Sequence, residues 1–308
     1  MLISSSVFGG QHGLPRHDGQ AGDGRRNGVI LKIGTILPAM IAVLALLLIV
    51  PSGLAAYDAM GRRHDSRAFL DVNSTEQLLI QSAGQWAVER GLTNTALNSP
   101  GVVPFDRRVK IDEMRASADR AFHEAVSDLR SIPAMKSAEM NIAEAVRVFG
   151  EFAALRVKVD ENLLRPRTER QAEIVAGFVP AITNLIDVAC SKLRLTLEAL
   201  TRPPSVAISQ LMSIRHLAAE MAEYAGRERG FLGGMIGGRR ALATDGTRNV
   251  SIFRGHVALA WDTISAFRSN PSASAKLLNA IAGVESEYFG KYGATREVVL
   301  AAGETGEY

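Results

Sequence analysis

The sequence predicts an all-α protein: one N-terminal transmembrane helix, then a duplicated up-and-down four-helix-bundle domain whose last helix falls beyond the end of the chain. Three observations point there. Aromatics are 6% of the 308 residues while alanine is abundant, a composition that favours helices. From Ile33 to Tyr57 no residue is charged, and "ILPAMIAVLALLLIV" (36–50) is almost purely apolar; about 20 such residues span a bilayer. Beyond residue 60 the glycine and proline breaks recur at a spacing near 139, with no period-two alternation between them.

The elements follow in chain order. Residues 1–32 include the glycine-rich "GGQHGLPRHDGQAGDGRRNG" (9–28) and read as a disordered cytoplasmic N-terminus. Residues 33–57 form the transmembrane helix, with Pro38 and Pro51 as kinks or ends that lipid-embedded helices tolerate. A cleaved signal peptide is the alternative, because "SGLAAYDA" (52–59) offers small residues. The long apolar stretch, and the head that precedes it, argue for an uncleaved anchor. Arg16, Arg25, Arg26 and Lys32 precede the span and Arg62, Arg63 and Arg67 follow it, a weak bias. The short head then stays inside, giving a single-pass inner-membrane protein with its main domain in the periplasm. "IVAGFVPAITNLI" (174–186) is too short to span and reads as a buried helix segment.

Seven helices are expected after the span: 64–97, 106–131, 134–165, 168–200, 205–238, 246–268 and 272–303. Prolines 133, 166, 203 and 271 supply stops, and Asp106 and Ser205 supply caps. Glu89-Arg90-Gly91 recurs 139 residues later as Glu228-Arg229-Gly230, and "LRSIP" (129–133) matches "FRSNP" (267–271). The unit is therefore four long helices, the size of an up-and-down bundle. It divides the domain into a first bundle, 64–200, and an incomplete second, 205–308. An eighth helix is due near residue 306, so the chain reads as a fragment that lacks a cytoplasmic signalling module.

The repeated triplet sits on an apolar seam. Ile214, Leu217, Met221, Tyr224, Glu228, Phe231 and Met235 follow the three–four spacing of a buried stripe, and Leu78, Ser82, Gln85, Glu89, Leu92 and Ala96 repeat it. Each glutamate is thus semi-buried and needs a partner or a proton. Arg90 and Arg229 have no acid three or four residues away on their own helices, whereas Arg227 has Glu223 at i−4 as an ordinary surface pair. The two arginines therefore look elsewhere: to the glutamate of the other copy, or to a small anion held between the bundles. A guanidinium is a planar, permanently charged fork of donors, suited to a planar oxyanion. Gly230, Gly233 and Gly234 allow close backbone approach there, or only tight packing, and Trp86 lies in the core or groove.

Several classes of function have no support. The net charge of +3 is too small to argue for nucleic-acid binding, and six scattered histidines and the single Cys190 show no metal spacing. "GGMIGGRR" (233–240) lacks the lysine and the preceding strand of a phosphate loop. No nucleophile elbow or paired carboxylates point to an enzyme, and no cofactor is expected.

A membrane-anchored helical domain with duplicated Glu-Arg-Gly helices resembles the nitrate- and nitrite-sensing (NIT) domain over residues 66–305. The resemblance implies two four-helix bundles and an anion site lined by arginines. Onto this chain it carries only Arg90 and Arg229, with Arg227 as a lesser addition; Glu89, Glu228, Gly91, Gly230 and Trp86 are expected in support from the seam itself. One span followed by an extracytoplasmic helical domain is also similar to the front of a methyl-accepting chemotaxis protein. Together the two likenesses imply a receptor whose ligand is nitrate or nitrite, and a homodimer is expected. The competing class is a membrane-tethered scaffold with no small ligand, in which both arginines are fully paired with carboxylates.

Overall fold

A computed structural model describes residues 33–308; the expected cytoplasmic head, 1–32, lies outside the described residues. Among the described residues there are helices and no strands. The described residues divide into two units between Ala59 and Met60.

The span and the first expected helix are one element, α1 (Ile33–Asn98). Nothing between Tyr57 and His64 breaks it, because Gly61 alone weakens a helix without ending it. In its N-terminal part Leu46, Leu47, Leu48 and Ile49 are all exposed. A helix apolar on every side is long and apolar enough to cross a membrane. Residues 172–200 pass the same test of length and composition. There, however, Ile174, Phe178, Ile182, Leu185 and Leu193 are buried in a protein core, as expected for a buried segment.

In the 60–308 unit, α2 (Phe105–Ser131) follows Pro104 and carries Asp106 in its first turn. A 3₁₀ turn, Pro133–Ala138, precedes α3 (Glu139–Leu163), so that helix starts five residues later than expected. A second 3₁₀ turn, Arg167–Glu169, likewise delays α4. α4 covers 172–200 as Ala172–Ile186, a π turn Asp187–Lys192 and Leu193–Leu200. α5 (Val206–Gly238) is capped by Ser205, whose hydroxyl accepts from the Ile208 amide at 3.3 Å, and ends at Arg239 in the left-handed region. α6 is Thr244–Ala266. α7 covers 275–305 as Ala275–Val284, a π turn Glu285–Tyr292 and Gly293–Thr305.

Two apolar clusters form inside this unit. One gathers α1 to α4 around Trp86, Phe122 and Phe178. The other gathers α5 to α7 around Met221, Val257 and Ile281. Buried positions recur between them: Ile111, Ala118, Ala121 and Ala125 on α2 return 139 residues later as Val250, Val257, Ala260 and Ile264 on α6. Ile142 and Ile281 keep that spacing, but Arg156 and Arg296 are 140 apart. The π turn in α7 takes up the extra residue.

Candidate functional site

Helices α1 and α5 meet at the two Glu-Arg-Gly triplets. A Cβ on Gly230 would stand 3.9 Å from the Gly91 Cα, and one on Gly237 would stand 2.5 Å from the Thr95 carbonyl oxygen. The absence of side chains is what lets the two backbones come this close. Asn94 locks the contact by donating to the Gly230 carbonyl at 2.8 Å.

Each arginine of the triplets lies across the other helix's glycine. The Nε of Arg90 is 3.8 Å from a Cβ built on Gly230, and that of Arg229 is 4.0 Å from one built on Gly91. Their partners differ. Arg90 is buried and donates to both oxygens of Glu223, at 2.7 and 3.1 Å, and to Thr183 at 3.3 Å. Arg229 is exposed and has no hydrogen bond or ion pair among the described residues. The two open onto different cavities: Arg90 lines one of about 530 Å³, and Arg229 lines two others, of about 510 and 350 Å³. The expected convergence on one cleft is therefore not the observed arrangement: Arg90 is buried against Glu223, while Arg229 is exposed.

Arg227 makes the expected pair with Glu223 and adds a second partner. Its Nε donates to Glu223 at 2.7 Å and its Nη2 to Asp187 of α4 at 2.6 Å. Glu223 thus serves two arginines at once, joining α1 to α5, and the same arginines reach α4 at Thr183 and Asp187.

The glutamates do not pair with the arginine of the other triplet. Glu89, fully buried, accepts from Arg115 Nε at 2.8 Å and from Arg156 at 2.9 and 2.5 Å, all within the first apolar cluster. Asp160 and Asp119 complete these two arginines at 2.8 Å each. Trp86 is a core residue whose indole N–H donates to Asp119 at 3.0 Å, so it supports this network rather than a ligand. Glu228 is equally buried but accepts no hydrogen bond; both its oxygens lack a partner. Its nearest cation is Arg296 Nη1 at 3.7 Å. Burial raises its carboxyl above the ordinary carboxylate range, partly offset by Arg296 and Arg254. Tyr288 beside it is pushed up to about 12 by burial and then by the Glu228 charge.

Arg115, Arg156, Arg254 and Arg296 are the residues that reading the triplets alone misses. The signal was available: Arg115 and Arg254 are 139 apart, the spacing of the triplets, and Arg156 and Arg296 are one residue more. Among the described residues no group of three or more histidine, cysteine, aspartate or glutamate side chains is arranged to hold a metal.

Helices α1 and α5 thus carry two buried carboxylates, one closed by two arginines and one without a hydrogen bond, beside an exposed guanidinium at their crossing. The family model described as nitrate and nitrite sensing, NIT, matches residues 83–302, well over half of the chain and both triplets. The chain belongs to the NIT family, a family of sensor domains. Searches of curated proteins and of solved structures returned no match.

Proposed function

We propose that the 60–308 unit is the periplasmic sensor domain of a bacterial transmembrane receptor, chemoreceptor-like and homodimeric, which binds nitrate or nitrite at the α1–α5 crossing. Membership of the family supports the ligand class. The single observation that carries the placement is the crossing itself: Gly91 against Gly230, with Arg90, Arg227 and Arg229 around it. Arg229 supplies permanent positive charge with open donors, which favours a planar oxyanion over water.

On this reading the domain is two related bundles, 64–200 and 205–308. The recurring buried positions and the paired arginines support the duplication. The apolar part of α1 crosses the inner membrane once, and anion binding shifts α1 relative to α5. Such a shift transmits a signal only if the anion binds the two arrangements unequally. A bound anion bridging cations supplies that inequality, since the cations repel without it.

Calorimetric titration of the full chain in lipid nanodiscs with sodium nitrate and sodium nitrite, against sodium chloride, tests the proposal. Saturable binding of nitrate or nitrite with weaker chloride binding is expected. Folded protein that binds neither ends it. The scaffold reading has one observation in its favour, the closed Arg90–Glu223 pair. It requires the same closure at Arg229.

A further inference from the structure

We infer that the anion is held by Arg229 and Arg296, in the cavity of about 350 Å³ bordered by α1, α5 and α7, and that Glu228 competes with it for Arg296. This placement rests on the nitrate and nitrite reading above and narrows it to residues that the triplets do not contain.

Charge accounting between matching positions leads there. Around Glu89, the arginines Arg115 and Arg156 are completed by Asp160 and Asp119. At the matching positions of the second cluster stand Leu300 and Ala258. Glu297 is the remaining acid, and it reaches Arg254 at 3.1 Å and Arg296 at 3.4 Å. Arg254 and Arg296 thus share two carboxylates, Glu228 and Glu297, and Arg229 pairs with neither. One of the two, Glu228, makes no hydrogen bond, and the buried Nε of Arg296 has no partner. A buried donor left unsatisfied costs free energy that an incoming acceptor recovers.

The cavity is built to receive such an acceptor. Arg229 and Arg296 line it with Tyr292, Thr95 and Thr295, the rest of its wall is apolar or glycine, and no carboxylate lines it. Two guanidinium forks and hydroxyl donors in an otherwise apolar pocket suit a small monovalent oxyanion. Arg90 and Arg227 differ in being ion-paired at close range, with Glu223 holding both terminal nitrogens of Arg90 and Glu223 and Asp187 holding Arg227, although the buried Nε of Arg90 also lacks a partner.

The same geometry couples binding to a proton. Glu228 faces Arg254 from α6 and Tyr288, Tyr292, Arg296 and Glu297 from α7, with Arg229 next to it on α5. An anion drawing Arg296 into the cavity removes the nearest cation from Glu228. Glu228 then takes up a proton, and protonation in turn frees Arg296 for the anion. Affinity therefore rises as pH falls.

Nitrate titration of the full chain in nanodiscs at pH 5.5 and 7.5 tests this, with Arg229→Gln, Arg296→Gln, Glu228→Gln and Arg240→Gln, the last lining the cavity beside Arg90. Circular dichroism checks that each variant is folded. The expected result is at least tenfold weaker binding for the Arg229 and Arg296 variants and unchanged binding for the Arg240 variant. Glu228→Gln binds several-fold tighter, with its pH dependence flattened. It is a gain-of-affinity test that does not depend on the arginine variants folding. Wild-type affinity in both arginine variants, or weakened binding in Glu228→Gln, overturns the placement alone. No binding by the wild-type chain overturns the nitrate reading, and this placement with it.

Discussion

Glu89 and Glu228 occupy matching positions in α1 and α5, both fully buried, yet Glu89 accepts three hydrogen bonds from arginines and Glu228 accepts none. The same residue type in the same triplet is thus a structural anchor in one place and an unspent charge in the other. Removing one partner of a closed buried ion network leaves the others charged and unpaired, at a cost of ~3–5 kcal/mol. Glu89→Gln should destabilise the protein by that order, and Glu228→Gln should be neutral or stabilising. Thermal melts of the two variants side by side check this; equal losses contradict it.

The pH dependence follows from the raised carboxyl of Glu228. A carboxyl whose folded pKa lies above its unfolded value binds its proton more tightly in the folded state. Its contribution is fully present below the ordinary glutamate pKa and is lost as pH rises through the elevated folded value. Between those two values wild type should lose stability relative to Glu228→Gln as pH increases, and above them the gap should stay constant. Paired melting curves across that range measure it, and a gap that shrinks with rising pH refutes the assignment.

Arg170 is the clamp on the C-terminal end of α1. It donates to the carbonyls of Ala96, Leu97, Ser99 and Gly101, at 2.5 to 2.9 Å, and to those of Asn162 and Arg165. These include carbonyls that helix geometry leaves unsatisfied at a C-terminus. Lysine has neither the fork nor the reach to serve so many. Arg170→Lys should cost at least ~2 kcal/mol, because buried carbonyls lose their donors. Denaturant midpoints measure the loss, and wild-type stability in Arg170→Lys contradicts the clamp.

Two glycines in the same helix pair should respond in opposite directions. A Cβ on Gly237 would collide with the Thr95 backbone, while one on Gly84 meets nothing within 4 Å. Gly237→Ala should destabilise by ~1–3 kcal/mol as α1 and α5 are forced apart. Gly84→Ala should stabilise by about 0.5–1 kcal/mol through lower chain entropy in a helix interior. Melting temperatures that move the same way in both variants exclude a tight α1–α5 crossing.

Much of the helical plan could be read from punctuation. Pro104, Pro133 and the Ser205 cap fall where elements begin or stop, and the buried character of 174–186 follows from its short apolar run. The span's continuation into the first helix follows from the lack of a strong breaker between Tyr57 and His64. The π turns were hidden, although the shift of one residue between Ile142/Ile281 and Arg156/Arg296 was the trace of the one in α7. At the site, the sequence flagged the triplets but not their partners. Arg90 finds Glu223 133 residues away and Glu89 finds Arg156 67 away, separations that local spacing cannot reveal. The opposite fates of Arg90 and Arg229 depend on which helix each side chain leans across, which only the fold decides.

The most direct test of the account is the experimentally determined structure of the chain with nitrate bound. It should show the anion within hydrogen-bonding distance of both Arg229 and Arg296, with Arg90 still closed on Glu223. Nitrate found instead between Arg167 and Arg240, or on Arg90 with Glu223 displaced, would contradict it.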